Sequence, residues 1–202
     1  MHHTRNMNKK LTSKDFINIG IFSILLIVVV SLAFSITFTP IIQFARLPVS
    51  AFLGAPVFLL FVAKTQKPFV VTIMGVFCSV LLGFLMFGSP VYALVCFVPF
   101  LIAEIILYIG KYKNLKLAEL AYVFCSLWPF GAYGIWWYDT EHCIVLSLSG
   151  GYAQEFVDGI LEFITPTSCA IVLFVTAVFA VLGILFTRGL FKKHFKKAGL
   201  IA

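Results

Sequence analysis

The chain has 202 residues, of which 61% are hydrophobic and 11% charged, and its mean hydropathy is +1.06. Soluble domains carry about a quarter charged residues, so the composition excludes a water-soluble globular protein and suits a single compact helical unit over residues 1–202. The net charge of +7 would suit a nucleic-acid partner, but membrane orientation explains it without one.

A bilayer core about 30 Å thick needs roughly 20 apolar residues in a helix. Six stretches qualify as spans: 16–38, 48–62, 69–87, 91–109, 117–137 and 165–186. The first is longer than a cleaved signal sequence and reads as an anchored helix. The second is the shortest, and Gly54 with Pro56 predicts a broken or tilted helix there. In the third, Gly75, Ser79 and Gly83 recur every four residues, a flat ridge that admits another backbone. Weaker small-residue patterns mark the first segment (Ser31 and Ser35) and the sixth (Thr176 and Ala180). Packing within the bundle and docking of a partner subunit both suit such ridges.

The fourth segment holds Glu104, the one acid deep in a predicted span. A charge in the bilayer centre costs several kcal/mol, so Glu104 is expected to reach Lys111 or Lys113 or to pair inside the bundle. In the fifth segment Pro129 and Gly131 predict a bend between Trp128 and the Trp136-Trp137-Tyr138 run. Residues 138–164 then form the longest connection. It opens on a polar run, passes Gly150–Gly151, and becomes amphipathic: Tyr152, Phe156, Val157, Ile160, Leu161 and Ile164 share one face, with Gln154, Glu155, Asp158 and Glu162 opposite. That predicts a short helix lying on the outer surface and ended by Pro166, either capping the bundle or covering a ligand.

Orientation follows from Lys and Arg. Fourteen of the fifteen fall before the first segment, between the second and third, between the fourth and fifth, or after the sixth. With six spans these positions share one side, so both termini are expected in the cytoplasm of a plasma-membrane protein. The basic run 188–197 also suits anionic lipid. Arg46 alone lies opposite, on the face that carries Asp139, Glu141, Glu155, Asp158 and Glu162. The fold class expected is therefore all-α: a six-helix polytopic bundle with an external amphipathic helix before the last span.

No HExxH, GxSxG or P-loop occurs, and the five cysteines form no CxxC. Catalysis, a metal site and a cofactor of its own are not expected. The outer mouth offers a different chemistry. Arg46, Met86, Tyr92, Trp128, Trp136, Tyr138, His142, Tyr152 and Glu155 are candidates for a small-molecule site, since an aromatic pocket with a few polar groups is what such a site needs. An interfacial aromatic belt also explains the terminal Trp and Tyr residues. A ligand-free docking protein and a small membrane enzyme are the other classes such a chain could belong to.

The stretches KLTSKDFINIGIFS (10–23), PVFLLFVAKTQKP (56–68), GYAQEFVDGILEFITP (151–166) and KKHFKKAGL (192–200) resemble the substrate-binding S components of energy-coupling factor (ECF) transporters, specifically the MptD group, also called Trep_Strep. The resemblance implies a transmembrane T component and two cytoplasmic ATPases that use ATP on the chain's behalf, with substrate bound outside and released inside. It implies a vitamin-like metabolite as substrate, or haem, for which His142, Met86, Cys143, Tyr138 and Tyr152 are residues of axial-ligand type. Many S components dock the T component through an Ala-xxx-Ala pattern on the first helix. Here Gly20, Ser23, Ser31 and Ser35 are the nearest small positions, and the Gly75, Ser79, Gly83 ridge is a second candidate.

Overall fold

The computed structural model describes residues 10–35, 39–40, 42–86 and 88–197. Among them every regular element is helical. The helices are α1 (Ser13–Phe34), α2 (Arg46–Thr65, entered through a 3-10 turn at Ile42–Ala45), α3 (Val70–Ser79, continued as a π-helical stretch Val80–Met86), α4 (Pro90–Ile109), α5 (Leu115–Cys125), α6 (Phe130–Tyr133), α7 (Ile135–Tyr138), α8 (Thr140–Ser149), α9 (Gln154–Leu161) and α10 (Pro166–Lys197).

Four helical stretches among the described residues are long and apolar enough to cross a bilayer: Ser13–Ala33, Ile42–Thr65, Pro90–Ile109 and Pro166–Lys192. The apolar helix Val70–Leu85 is shorter, and the predicted 117–137 segment is divided among α5, α6 and α7. At 1.5 Å per residue, α1 is about 33 Å long and α10 about 48 Å. Their outward faces carry Ile17, Ile24, Leu32, Phe174 and Leu185, all more than half exposed. Such a surface suits lipid or a neighbouring membrane helix, not water.

The second segment differs from expectation. It is a continuous helix from Arg46 to Thr65, not a short or broken one. Pro48 lies in the first turn, where a missing N–H costs nothing. Pro56 lies inside and leaves the Phe52 carbonyl without its helical donor. Gly183 of α10 closes on that carbonyl: a Cβ added there would sit 2.5 Å from Phe52 O and 2.9 Å from Ala55 Cβ. One residue earlier, the Ala51 carbonyl accepts from the Tyr122 hydroxyl of α5. Neighbouring helices thus cover the backbone that a lone helix would leave bare.

The ridge at Gly75, Ser79 and Gly83 is filled inside the chain. A Cβ on Gly75 would meet Phe100 Cβ at 2.5 Å, and one on Gly83 would meet Ala93 N at 2.5 Å, both on α4, while Ser79 is buried. Thr176 and Ala180 are likewise fully buried. On α1, Ser23 is buried and Ser31 and Ser35 are exposed, and nothing lies within 4 Å of a Cβ at Gly20. Gly20→Ala should therefore stabilise the chain by about 0.5–1 kcal/mol, by removing glycine's unfolded-state freedom. A thermal melt in detergent checks this. A loss of stability would mean that the α1 surface packs more closely than described.

One end of the bundle is fastened by acids. Asp15 accepts from the Thr12 N–H at 2.7 Å, closing a capping box, and pairs with Lys67 at 2.6 Å. Glu119, buried on α5, pairs with Arg188 of α10. Glu104 does not reach Lys111 or Lys113. Its carboxylate accepts from the backbone N–H groups of Phe69 (2.7 Å), Val71 (3.1 Å) and Thr72 (3.0 Å), and from the Tyr112 hydroxyl (2.5 Å). It therefore caps α3 from α4. Phe69, at φ 66°, has no side-chain cap of its own, and a negative group suits the positive end of the helix. Burial, and then the Glu104 carboxylate, push the Tyr112 hydroxyl well above its usual range, so it remains a donor.

Candidate functional site

At the opposite end the α5 helix stops at Cys125, and the bend expected at Pro129 and Gly131 is present. The chain turns through α6 and α7, which brings Ala132, Tyr133, Ile135, Trp136 and Trp137 to the wall of a cavity of about 340 Å³. Gln43 and Phe44 of the 3-10 turn and Arg46 and Leu47 of α2 form the facing wall. The rest comes from Cys143, Leu146 and Ser147 of α8 and from Tyr152 and Phe156 at the start of α9.

The amphipathic pattern seats α9 beside the cavity. Val157 and Ile160 of α9 are fully buried and pack with Tyr92, Ile135, Trp136 and Cys143, while Gln154, Glu155 and Asp158 face outward. Tyr152 stacks on Phe156 with ring centroids 5.0 Å apart. Polar residues 138–142 were expected in a loop. Thr140 to Ser149 instead form α8, whose only buried residue is Cys143. The Gly150–Gly151 turn then reverses the chain, with Gly151 at φ 88°, where a side chain would be strained.

Arg46 is 7% exposed and lies over the Tyr133 ring, 5.9 Å from its centroid. Among the described residues no other charged side chain lines the cavity. A guanidinium keeps its charge when buried and offers five donors in one plane, so it can serve the chain and a bound molecule together. The other polar groups on the wall include Gln43 and Ser147. Among the described residues no group of three or more His, Cys, Asp and Glu is placed to hold a metal ion.

A family model described as "Hypothetical bacterial integral membrane protein (Trep_Strep)" matches residues 13–197. The chain is a Trep_Strep protein. No curated protein and no solved structure matches it. It is an integral membrane protein, as its family description and its long apolar helices agree.

Of the residues singled out in the Trep_Strep sequence, the structure brings Arg46, Trp136 and Tyr152 to the cavity. The others lie elsewhere. Trp128 is buried in the bundle, its ring 5.5 Å from Phe100. Tyr92 is buried behind the wall and donates to Asp139 at 2.6 Å. Tyr138 donates its hydroxyl to Gly131 O. His142 is exposed and packs against the Tyr92 ring, and Glu155 points outward from α9. The side chain of Met86 lies outside the described ones. Of the haem-ligand types, Cys143 and Tyr152 line the cavity, whereas His142 and Tyr138 do not.

Sequence reading missed Gln43, Phe44, Leu47, Tyr133 and Ser147 as lining residues. Phe44 and Phe156 carried a usable signal, as aromatic residues just outside the apolar stretches. Trp137, read as belt, lines the cavity and donates its indole N–H to Ser168 at 3.2 Å.

Burial pushes the Cys143 thiol up to about 12. At neutral pH it is a neutral thiol, and the thiolate needed for reaction is scarce. In a variant that keeps Cys143 as its sole cysteine, maleimide should label it about a thousandfold more slowly at pH 7 than an exposed thiol of ordinary pKa. The rate should climb toward pH 12. Fast labelling at pH 7 would show that the cavity opens to water at α8.

Proposed function

We propose that this chain is the substrate-capture (S) subunit of an ATP-driven ECF-type importer of a micronutrient. In this reading six segments span the plasma membrane, both termini are cytoplasmic, and the cavity faces outward. The observation that carries it is the cavity itself: a lined chamber with one buried cation, walled in part by α8 and α9, at the end away from most of the lysines. The basic residues support the orientation, because the linked pairs Asp15–Lys67 and Glu119–Arg188 mark the end where positive charge accumulates. The short α3 and the broken α5–α7 run cross as the third and fifth spans, the latter satisfied by protein around the cavity.

The chain binds and hands on its substrate without chemistry. A transmembrane T component and two ATPases supply the energy, and the exposed face of α1 around Gly20 is the docking surface left once the α3 ridge is filled. Closure of α8 and α9 over the ligand would favour the inward-releasing orientation. Deleting the gene in its host should abolish uptake of one small molecule, and a tagged chain should retain a membrane subunit and two ATPases. Unchanged uptake together with a chain that never co-purifies with an ATPase would refute the importer role.

A further inference from the structure

We propose that the basic end of the bundle is a binding surface for the anionic phospholipid headgroups of the leaflet it meets. This surface lies away from the cavity, and the proposal stands independently of the capture role. Charge at this end is sorted by depth. Asp15, Glu104 and Glu119 are each 7% exposed, and each carboxylate already accepts hydrogen bonds from the chain. The other five acids fall between positions 139 and 162, in and beside α8 and α9. The exposed charge at the basic end is therefore cationic. Lys14, Lys111, Lys113, Lys116, Lys192 and Lys196 are all exposed, and among the described residues the ion pairs at this end belong to Lys67 and Arg188 instead.

A second observation fixes the depth of these lysines. Phe16 and Ile17 follow Lys14, Tyr108 and Ile109 precede Lys111, and Leu190 precedes Lys192. All five of these large side chains are more than half exposed, so they face hydrocarbon or its boundary, where tyrosine is favoured. Lys14, Lys111 and Lys192, within three residues of them, lie at headgroup level. At the end of the bundle α10 leaves helical geometry at Phe191 (φ −113°, ψ 16°). Phe191 packs on the bundle core, which anchors the chain directly before Lys192. An ammonium meets a phosphate as a point charge, and one lysine near an anionic leaflet is worth about fivefold in binding.

The test is electron paramagnetic resonance of the purified full chain in phosphatidylcholine vesicles with traces of spin-labelled lipid. Phosphatidylglycerol and phosphatidylcholine probes carry the same labelled acyl chain, so only the headgroup differs. The motionally restricted fraction should show phosphatidylglycerol associating at least about threefold more strongly than phosphatidylcholine at low salt. The preference should vanish in 1 M NaCl, where screening acts beyond about 3 Å. Lys192→Gln with Lys196→Gln should lower it, as should Lys111→Gln with Lys113→Gln, and the fourfold variant should lower it most. The same four positions changed to Arg should keep it. Equal association of the two lipids by the unaltered chain overturns the proposal, as does a preference that survives undiminished in the fourfold glutamine variant. Release of phosphatidylglycerol by an equal concentration of glycerol phosphate or of a single-stranded oligonucleotide would assign the surface to soluble anions or nucleic acid, and also overturns it.

Discussion

Replacing Glu104 with alanine should lower stability by about 3–5 kcal/mol, the largest effect expected of any single polar change in this protein. The carboxylate satisfies four donors at once: three backbone N–H groups at the start of α3 and the Tyr112 hydroxyl. Each buried donor left without a partner costs about 1–3 kcal/mol, and lipid offers no replacement. Water entering from the membrane surface would recover part of the loss. For a chain of this length, 1 kcal/mol corresponds to roughly 2–4 °C, so the melting temperature should fall by about 10 °C. Glu104→Gln keeps the shape and one acceptor oxygen but turns an amide toward N–H groups, and should cost about 2 kcal/mol. Differential scanning fluorimetry in detergent checks both variants. If Glu104→Ala melted within 2 °C of the unaltered chain, the cap would not hold α3.

Gly131→Val should cost about 3 kcal/mol and weaken ligand binding as well. A Cβ at Gly131 would lie 2.4 Å from the backbone nitrogen of Cys96 and 2.5 Å from its Sγ. Backbone on both sides cannot yield as a flexible side chain can, so α6 must move off α4; overpacking of this kind costs about 1–3 kcal/mol and sometimes more. Ala132 and Tyr133 follow directly and line the cavity, and the Gly131 carbonyl receives the Tyr138 hydroxyl. Displacing α6 therefore shifts the wall under Arg46. Comparison with Gly20→Ala isolates the cause, since that Cβ meets nothing. A Gly131→Val protein as stable as its parent would show that α6 and α4 are not in close contact.

The apolar stretches alone located the bundle, because spanning length and hydropathy need no tertiary information. The four-residue spacing of Gly75, Ser79 and Gly83 showed where backbones approach, and the 3.6-residue pattern from Tyr152 to Ile164 showed α9. What escaped had physical reasons. Gly54 and Pro56 resembled a break because the groups that cover the backbone there, Gly183 and the Tyr122 hydroxyl, lie far along the chain. The partners of Glu104 could not be read because most are backbone: a search for charged partners finds lysines, not the Tyr112 hydroxyl or N–H groups such as that of Phe69, 35 residues earlier. The cavity was legible only in part. Arg46, Trp136 and Tyr152 stood out as polar or aromatic residues near the outer mouth. Gln43 and Ser147 carry no periodic signal and reach the site only through the 3-10 turn and the bend at Pro129.

A native mass spectrum of the protein, gently extracted from its own host, tests most directly whether the cavity serves capture and transport. The expected spectrum carries one discrete added mass of a small molecule, with complexes that include a membrane subunit and two ATPases. The added mass should disappear in Arg46→Gln while the complexes persist. A bare chain without ligand, and with no ATPase at any extraction strength, would contradict the role assigned to the cavity.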